Sequence, residues 1–168
     1  MRCIQLQAYA KINLGLAVLG RREDGYHELR TIYQSISLAD TVEVRLSPRA
    51  GDVTLESAGY DVPRGNDNLA VRAAIAIRKE LRIRSGISIR LRKRIPPGSG
   101  LGGASSDASA VLRAVLALSG KSVPPEHLLH LAAELGSDVP YFLIGGRAIG
   151  VGRGEEVYPL RMRRAARS

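Results

Sequence analysis

Apolar and polar residues alternate along the first third of the chain, the period of a half-buried strand. The alternation predicts strands over residues 2–9 and 12–19, a polar, turn-rich loop over Gly20–His27, and further strands over 29–38, 41–47 and 53–57. The period then lengthens. Leu69, Ala73, Ala76, Ile77 and Leu81 recur at helical spacing behind Asn66-Asp67-Asn68, a run of N-cap residue types, and predict a helix from about Leu69 to Leu81. Alternation returns over 87–95, with Ile87, Ile89, Leu91 and Ile95 on one face and Ser88, Arg90, Arg92 and Arg94 on the other. A glycine-rich loop, Pro96–Gly103, leads into a helix with the apolar stripe Ala108, Val111, Leu112, Val115 and Leu116. A shorter helix follows over Pro124–Leu135, then a turn over Gly136–Pro140, then strands broken by glycine over 141–160. Strands first and helices later, on hairpin-length connections, predict an α+β fold rather than alternating βαβ units.

The chain has 168 residues, 45% hydrophobic and 24% charged, which suits one globular domain and excludes a disordered chain. No run approaches the roughly 18–20 apolar residues of a membrane-spanning helix. Met1–Gln7 alternates and so reads as a strand, not a signal peptide. Cys3 is the only cysteine, which excludes an internal disulfide and a zinc site built from several thiolates and makes a reducing cytoplasm the expected compartment. The net charge of +9 points to an anionic partner. Four of those charges, Arg161, Arg163, Arg164 and Arg167, crowd into the last eight residues. With no Trp and one Phe, the chain offers few platforms for stacking bases. Charge alone therefore does not set the function.

The most informative stretch is Pro96-Pro97-Gly98-Ser99-Gly100-Leu101-Gly102-Gly103-Ala104-Ser105-Ser106. It follows a strand and opens an amphipathic helix. In that context glycines let backbone N–H groups turn inward, and the helix start adds partial positive charge, which together make a phosphate site. A plain strand-to-helix turn is the alternative, but such a turn rarely needs four glycines between 98 and 103. Gly98-x-Gly100-x-x-Gly103 satisfies the dinucleotide fingerprint only formally, because the next acid after Asp107 is Glu126, within a helix. Walker A fails as well, since Ala104 stands where its lysine would be.

Pro96–Ser106 resembles the Pro-x-Gly-x-Gly-Leu-Gly-(Gly/Ser)-(Gly/Ala)-Ser-Ser phosphate loop of the GHMP superfamily of small-molecule kinases. Three further segments narrow the resemblance: Ala8–Leu14, Gly20-Arg21-Arg22-x-Asp24-Gly25-Tyr26-His27 and Gly136–Pro140. They are similar to the branch that phosphorylates the 2-hydroxyl of a cytidine-diphosphate-linked methylerythritol in non-mevalonate isoprenoid synthesis. The resemblance implies an α+β domain like the second domain of a small-subunit ribosomal protein, with an antiparallel or mixed sheet and helices on one side. It implies ATP bound by Pro96–Ser106 and Asn68, and Mg²⁺ to offset phosphate charge, with Ser106 and Asp107 near enough in sequence to be considered as ligands. It implies a small-molecule partner, no membrane, and a homodimer as an open possibility. It also implies a second domain beyond residue 160. The expectation is therefore a chain cut at a domain boundary, with 1–160 the ATP-binding domain and 161–168 a disordered basic tail, slow or inactive alone.

Individual residues carry weaker signals. Lys11 is one of four lysines against twenty-one arginines, a hint of a compact point charge rather than an exposed strand residue. Asp138 sits where an aspartate is ordinarily a turn former. The resemblance makes Asp138 the group that accepts or orients the substrate hydroxyl proton, with Lys11 holding carboxylate and substrate oxygen; an adjacent ammonium weakens a carboxylate as a base. It places Tyr26 and His27 against the cytidine moiety, Asn13 as a substrate hydrogen-bonder and Tyr33 near the substrate. Asn68 reads equally as a helix cap. His127 and His130 are read as exposed helix residues, and the Arg90, Arg92, Arg94 stripe as a solvated face or a lure for triphosphate. The competing classes are an RNA-binding module on the same fold and another GHMP small-molecule kinase.

Overall fold

Two long strands carry the sheet. In a computed structural model that describes residues 2–21 and 27–160, β1 (Arg2–Arg21) runs antiparallel to β2 (His27–Ala50) along nearly its whole length. The other edge of β2 takes β4 (Ser85–Lys93) beside residues 41–50 and β5 (Arg147–Gly152) beside 29–34. β3 (Val53–Gly59) adds parallel to β4, and β6 (Glu156–Pro159) adds antiparallel to β5. The sheet is thus mixed. Helix α1 (Leu69–Glu80) makes the crossover between β3 and β4, one βαβ unit in an otherwise antiparallel plan. Helices α2 (Gly103–Ser119), α3 (Pro125–Leu135) and α4 (Val139–Ile144) complete the helical layer.

Burial follows the sequence pattern. Ile87, Ile89 and Leu91 of β4 meet Val42 and Val44 of β2, Ile77 of α1 and Val111, Leu112 and Val115 of α2 in one core. The alternate β4 residues Arg90 and Arg92 stay exposed on the far face. There Arg90 Nε donates 2.7 Å to Glu56 Oε2, and its guanidinium also pairs with Glu43, so Arg90 is ion-paired on a solvated face. Among the described residues, no helix is long and apolar enough to cross a membrane.

Two expectations need correction. Residues 2–9 and 12–19 are one strand, and 29–38 and 41–47 another, because irregularities absorb the breaks in alternation: Ile36–Leu38 oppose Ala10 alone, and Leu14 and Leu19 are extra residues on β1. Residues 141–144 belong to α4, not to a strand. Val139, Pro140, Tyr141 and Phe142 are all buried, a continuous apolar run with aromatic character whose period cannot separate helix from strand. Residues 161–168 lie outside the described residues, and with them the expectation for the tail.

Candidate active site

The glycine loop turns on backbone conformations that favour glycine. Gly98, Gly100 and Gly102 have φ of 70°, 74° and 73°. Gly102 is the N-cap of α2, and a Cβ there would lie 2.7 Å from the Phe142 ring and 3.3 Å from Lys11 Cε. The loop lines a cleft of about 270 Å³ that extends past Val62, Pro63 and Leu69, so a polar cradle is continuous with an apolar end. Gly102→Ala combines left-handed strain with overpacking and should destabilise the chain by about 2–4 kcal/mol, read by urea unfolding.

Lys11 sits against this loop. Its backbone N–H donates 3.0 Å to Leu101 O, and its side chain is buried. Nζ donates 2.8 Å to Asn13 Oδ1 and lies 3.4 Å from Asp138 Oδ2. Asn13 is fixed in turn, with Nδ2 donating 2.6 Å to Thr31 Oγ1. Asp138 is the N-cap residue of α4, yet its carboxylate makes no capping bond. Tyr33 takes it instead, the phenol donating 3.2 Å to Oδ1. The Asp138 side chain keeps 30% exposure against 8% for Lys11, so the carboxylate is the member of the pair open to a ligand. Burial first, and Asp138 second, push the Tyr33 phenol above its ordinary range, which keeps it a neutral donor. Tyr33 packs on Tyr141 with ring centroids 4.6 Å apart, and Lys11 Nζ lies 5.2 Å from the Tyr33 ring centre.

A second charged cluster lies beneath the loop. Lys93 Nζ donates to Asp40 Oδ2 and, at 2.6 Å, to Asp107 Oδ2. Asp40 Oδ1 accepts the backbone N–H groups of Arg94 and Ile95. The triplet therefore ties the end of β4, where the loop begins, to the second turn of α2, just past where it ends. All three residues are buried, Asp40 completely. Burial pushes the Asp107 carboxyl up to about 7; Lys93 opposes this and Asp40 adds to it. An unfolded aspartate titrates near 3.9, so between about pH 4 and 7 the folded chain holds a proton that the unfolded chain has released. This group's contribution is complete below about pH 4 and lost as pH rises through about 7. The melting temperature should fall from pH 5 to pH 8, and Asp107→Asn should flatten that slope.

The sequence-derived residues divide. Lys11, Asn13, Tyr33 and Asp138 converge beside the loop. Asn13 and Tyr33 hold Lys11 and Asp138 in place through the bonds above. Asn68 lines the cleft, but its Oδ1 caps Ala70 N at 2.9 Å and its Nδ2 donates 3.0 Å to Pro63 O, so the amide is used as a helix cap. Tyr26 lies outside the described residues, and of His27 only the backbone, at the start of β2, is described. Ser106 and Asp107 do not form a ligand pair. Ser106 Oγ donates 2.7 Å to Tyr9 O and lines a different cleft, while Asp107 Oδ2 already carries an ammonium that would repel a cation. These two residues do not fit Mg²⁺, and among the described residues no group of three or more His, Cys, Asp or Glu side chains could hold a metal. His127 and His130 are exposed, His130 Nε2 lying 3.3 Å from Glu134 Oε1. Sequence reasoning missed Asp40 and Lys93. For Lys93 the signal was available: it falls between Leu91 and Ile95 on the apolar face of the 87–95 alternation, a charge in a buried row.

A glycine loop at the head of a helix thus lies beside a lysine–aspartate pair on a mixed sheet. Residues 68–146 match the GHMP kinases N terminal domain. The chain is similar to that family over these residues. It is 54% identical over 159 residues to the 4-diphosphocytidyl-2-C-methyl-D-erythritol kinase of Solibacter usitatus, covering 95% of this chain and 49% of that relative. The enzyme of the same name from Moorella thermoacetica is 48% identical over 94% of this chain and 54% of that relative. A crystal structure of 4-(cytidine 5'-diphospho)-2C-methyl-D-erythritol kinase superposes with a TM-score of 0.80 at 44% identity, covering 95% of this chain and 56% of that one. The chain thus spans about half the length of the curated relatives it matches.

Proposed function

We propose that this chain forms the nucleotide-binding half of a kinase that transfers the γ-phosphoryl group of ATP to the 2-hydroxyl of 4-diphosphocytidyl-2-C-methyl-D-erythritol. The observation that carries this reading is the position of Lys11, joined by its backbone to Leu101 of the glycine loop and by its ammonium to Asp138. Polyphosphate on the loop would lie beside a carboxylate open to a hydroxyl. The names of the relatives supply the substrate; the loop supplies the nucleotide.

Phosphoryl transfer passes through a loose transition state, so positioning and charge neutralisation do most of the catalysis. Backbone N–H groups of Gly98–Gly103 and the start of α2 hold the phosphates. Asp138, steadied by Tyr33, accepts a hydrogen bond from the substrate hydroxyl and takes its proton as the new oxygen–phosphorus bond forms, the bond from the γ-phosphorus to the β–γ bridging oxygen breaks and ADP leaves. Lys11, 3.4 Å from the carboxylate, draws the acceptor oxygen toward the γ-phosphorus. Tyr26 and His27 are the proposed cytidine contacts. Mg²⁺ enters with ATP as part of the substrate.

Residues 1–160 constitute one domain in this reading. A single-turnover reaction, protein in excess over ATP and the methylerythritol substrate, followed by ³¹P NMR, tests the assignment. A new phosphomonoester signal on the substrate is expected. Nucleotide that fails to bind, or a phosphoryl group that passes to water alone, would reject it.

A further inference from the structure

The Asp40–Lys93–Asp107 triplet carries an inference that rests on the nucleotide-site reading and goes beyond it. One ammonium serves two carboxylates, leaving a formal charge of −1 when both are ionised, in a place only 0–6% exposed. Asp40 is saturated, with one oxygen on Lys93 and the other on two backbone N–H groups. Asp107 is not. Its Oδ2 takes Lys93, while Oδ1 is buried without a hydrogen-bond partner among the described residues. Asp107 lines the same cleft as the glycine loop.

An uncompensated buried negative charge under a polyphosphate cradle is unfavourable, and a proton on Oδ1 removes it. The same proton turns an orphaned acceptor into a donor. We propose that Asp107 is the proton-linked group of this site: when polyphosphate occupies the glycine loop, Oδ1 takes up a proton, leaving the triplet neutral. The groups that face Asp107 are few. Lys93 reaches it from β4 and Asp40 from β2. Asn68 and Leu69, which line the cleft from the α1 side, are uncharged, and Asp61 and Asp67 stand exposed at its mouth. Arriving phosphate therefore adds like charge to a carboxylate already near its midpoint at neutral pH, and the proton follows.

Calorimetric titration of the 168-residue protein with MgADP at pH 7, in buffers of different ionisation enthalpy, counts the protons. About half a proton should be taken up per MgADP bound, as expected for a group half-ionised before binding. Affinity should fall several-fold from pH 6 to pH 8. Asp107→Asn keeps an acceptor for Lys93, so it should bind MgADP with no linked proton and a flat pH profile. Zero uptake by the wild type, or equal uptake by the variant, overturns the proposal while leaving the nucleotide site intact. No MgADP binding to the wild-type protein overturns both. Should the variant fail to fold, the ¹³C carboxyl resonance of wild-type Asp107 decides. Movement toward the protonated value on adding MgADP supports the proposal; no movement, or movement the other way, refutes it.

Discussion

Lys93→Met is expected to cost the fold about 3–5 kcal/mol, the range for removing one partner of a buried ion pair. The methionine fills similar space, so the loss is electrostatic. Asp40 and Asp107, 0% and 2% exposed, would face each other with no cation between them. At about 2–4 °C per kcal/mol for a chain of this size, the melting temperature should drop by roughly 10 °C. Adding Asp107→Asn to Lys93→Met should recover part of the loss, since only one carboxylate then remains uncompensated. A drop smaller than about 3 °C, or a double variant no better than the single one, would show that the triplet does not support the loop. The loop itself should loosen with it, because Asp40 also holds the N–H groups of Arg94 and Ile95 where the loop begins.

The second large effect concerns chemistry. Asp138→Asn should lower single-turnover phosphoryl transfer by about 10²–10⁴-fold, the usual contribution of a positioned proton acceptor. An asparagine oxygen can still accept from Tyr33, so MgATP affinity should stay within about threefold, because the lost interaction belongs to the transition state. Lys11→Ala should behave differently. It removes the ammonium from Asp138 and vacates the space beside Gly102, so both MgATP affinity and transfer should fall. If Asp138→Asn instead weakened MgATP binding and left the transfer step untouched, the carboxylate would be a structural cap and not a reacting group.

Much of this was legible in the residues. Period-two alternation located β1 to β4, and its interruptions at Leu14, Leu19 and Ile36–Leu38 are bulges within continuous strands; β5 and β6 were read only as glycine-broken strands over 141–160, which also took in α4. The glycine spacing from 98 to 103 marked the loop, and three of its glycines do take left-handed conformations. Lys11 carried only the slight hint of lysine's rarity, and Asp138 was legible through motif resemblance alone: they are 127 positions apart, and the bulged β1–β2 pairing and the start of α4 bring them within 3.4 Å. Asp40 and Lys93 look like a turn aspartate and a strand-end lysine. Period-two counting does put Lys93 on the buried face of β4, but the ion pairs that use it reach Asp40 and Asp107, 53 and 14 positions away, which no local pattern shows. Tyr33 read as a substrate contact, but burial beneath Gly150 and Gly154 gives its hydroxyl to Asp138.

The claim on which the rest depends is that the glycine loop is the polyphosphate cradle. A ¹H–¹⁵N NMR titration of the protein with MgATP tests it most directly. Saturable shifts centred on the amides of Gly98, Gly100, Gly102 and Gly103, extending to Lys11, are predicted. Amides that stay unmoved at saturating MgATP, or shifts confined to the Arg90 and Arg92 face of the sheet, would contradict it.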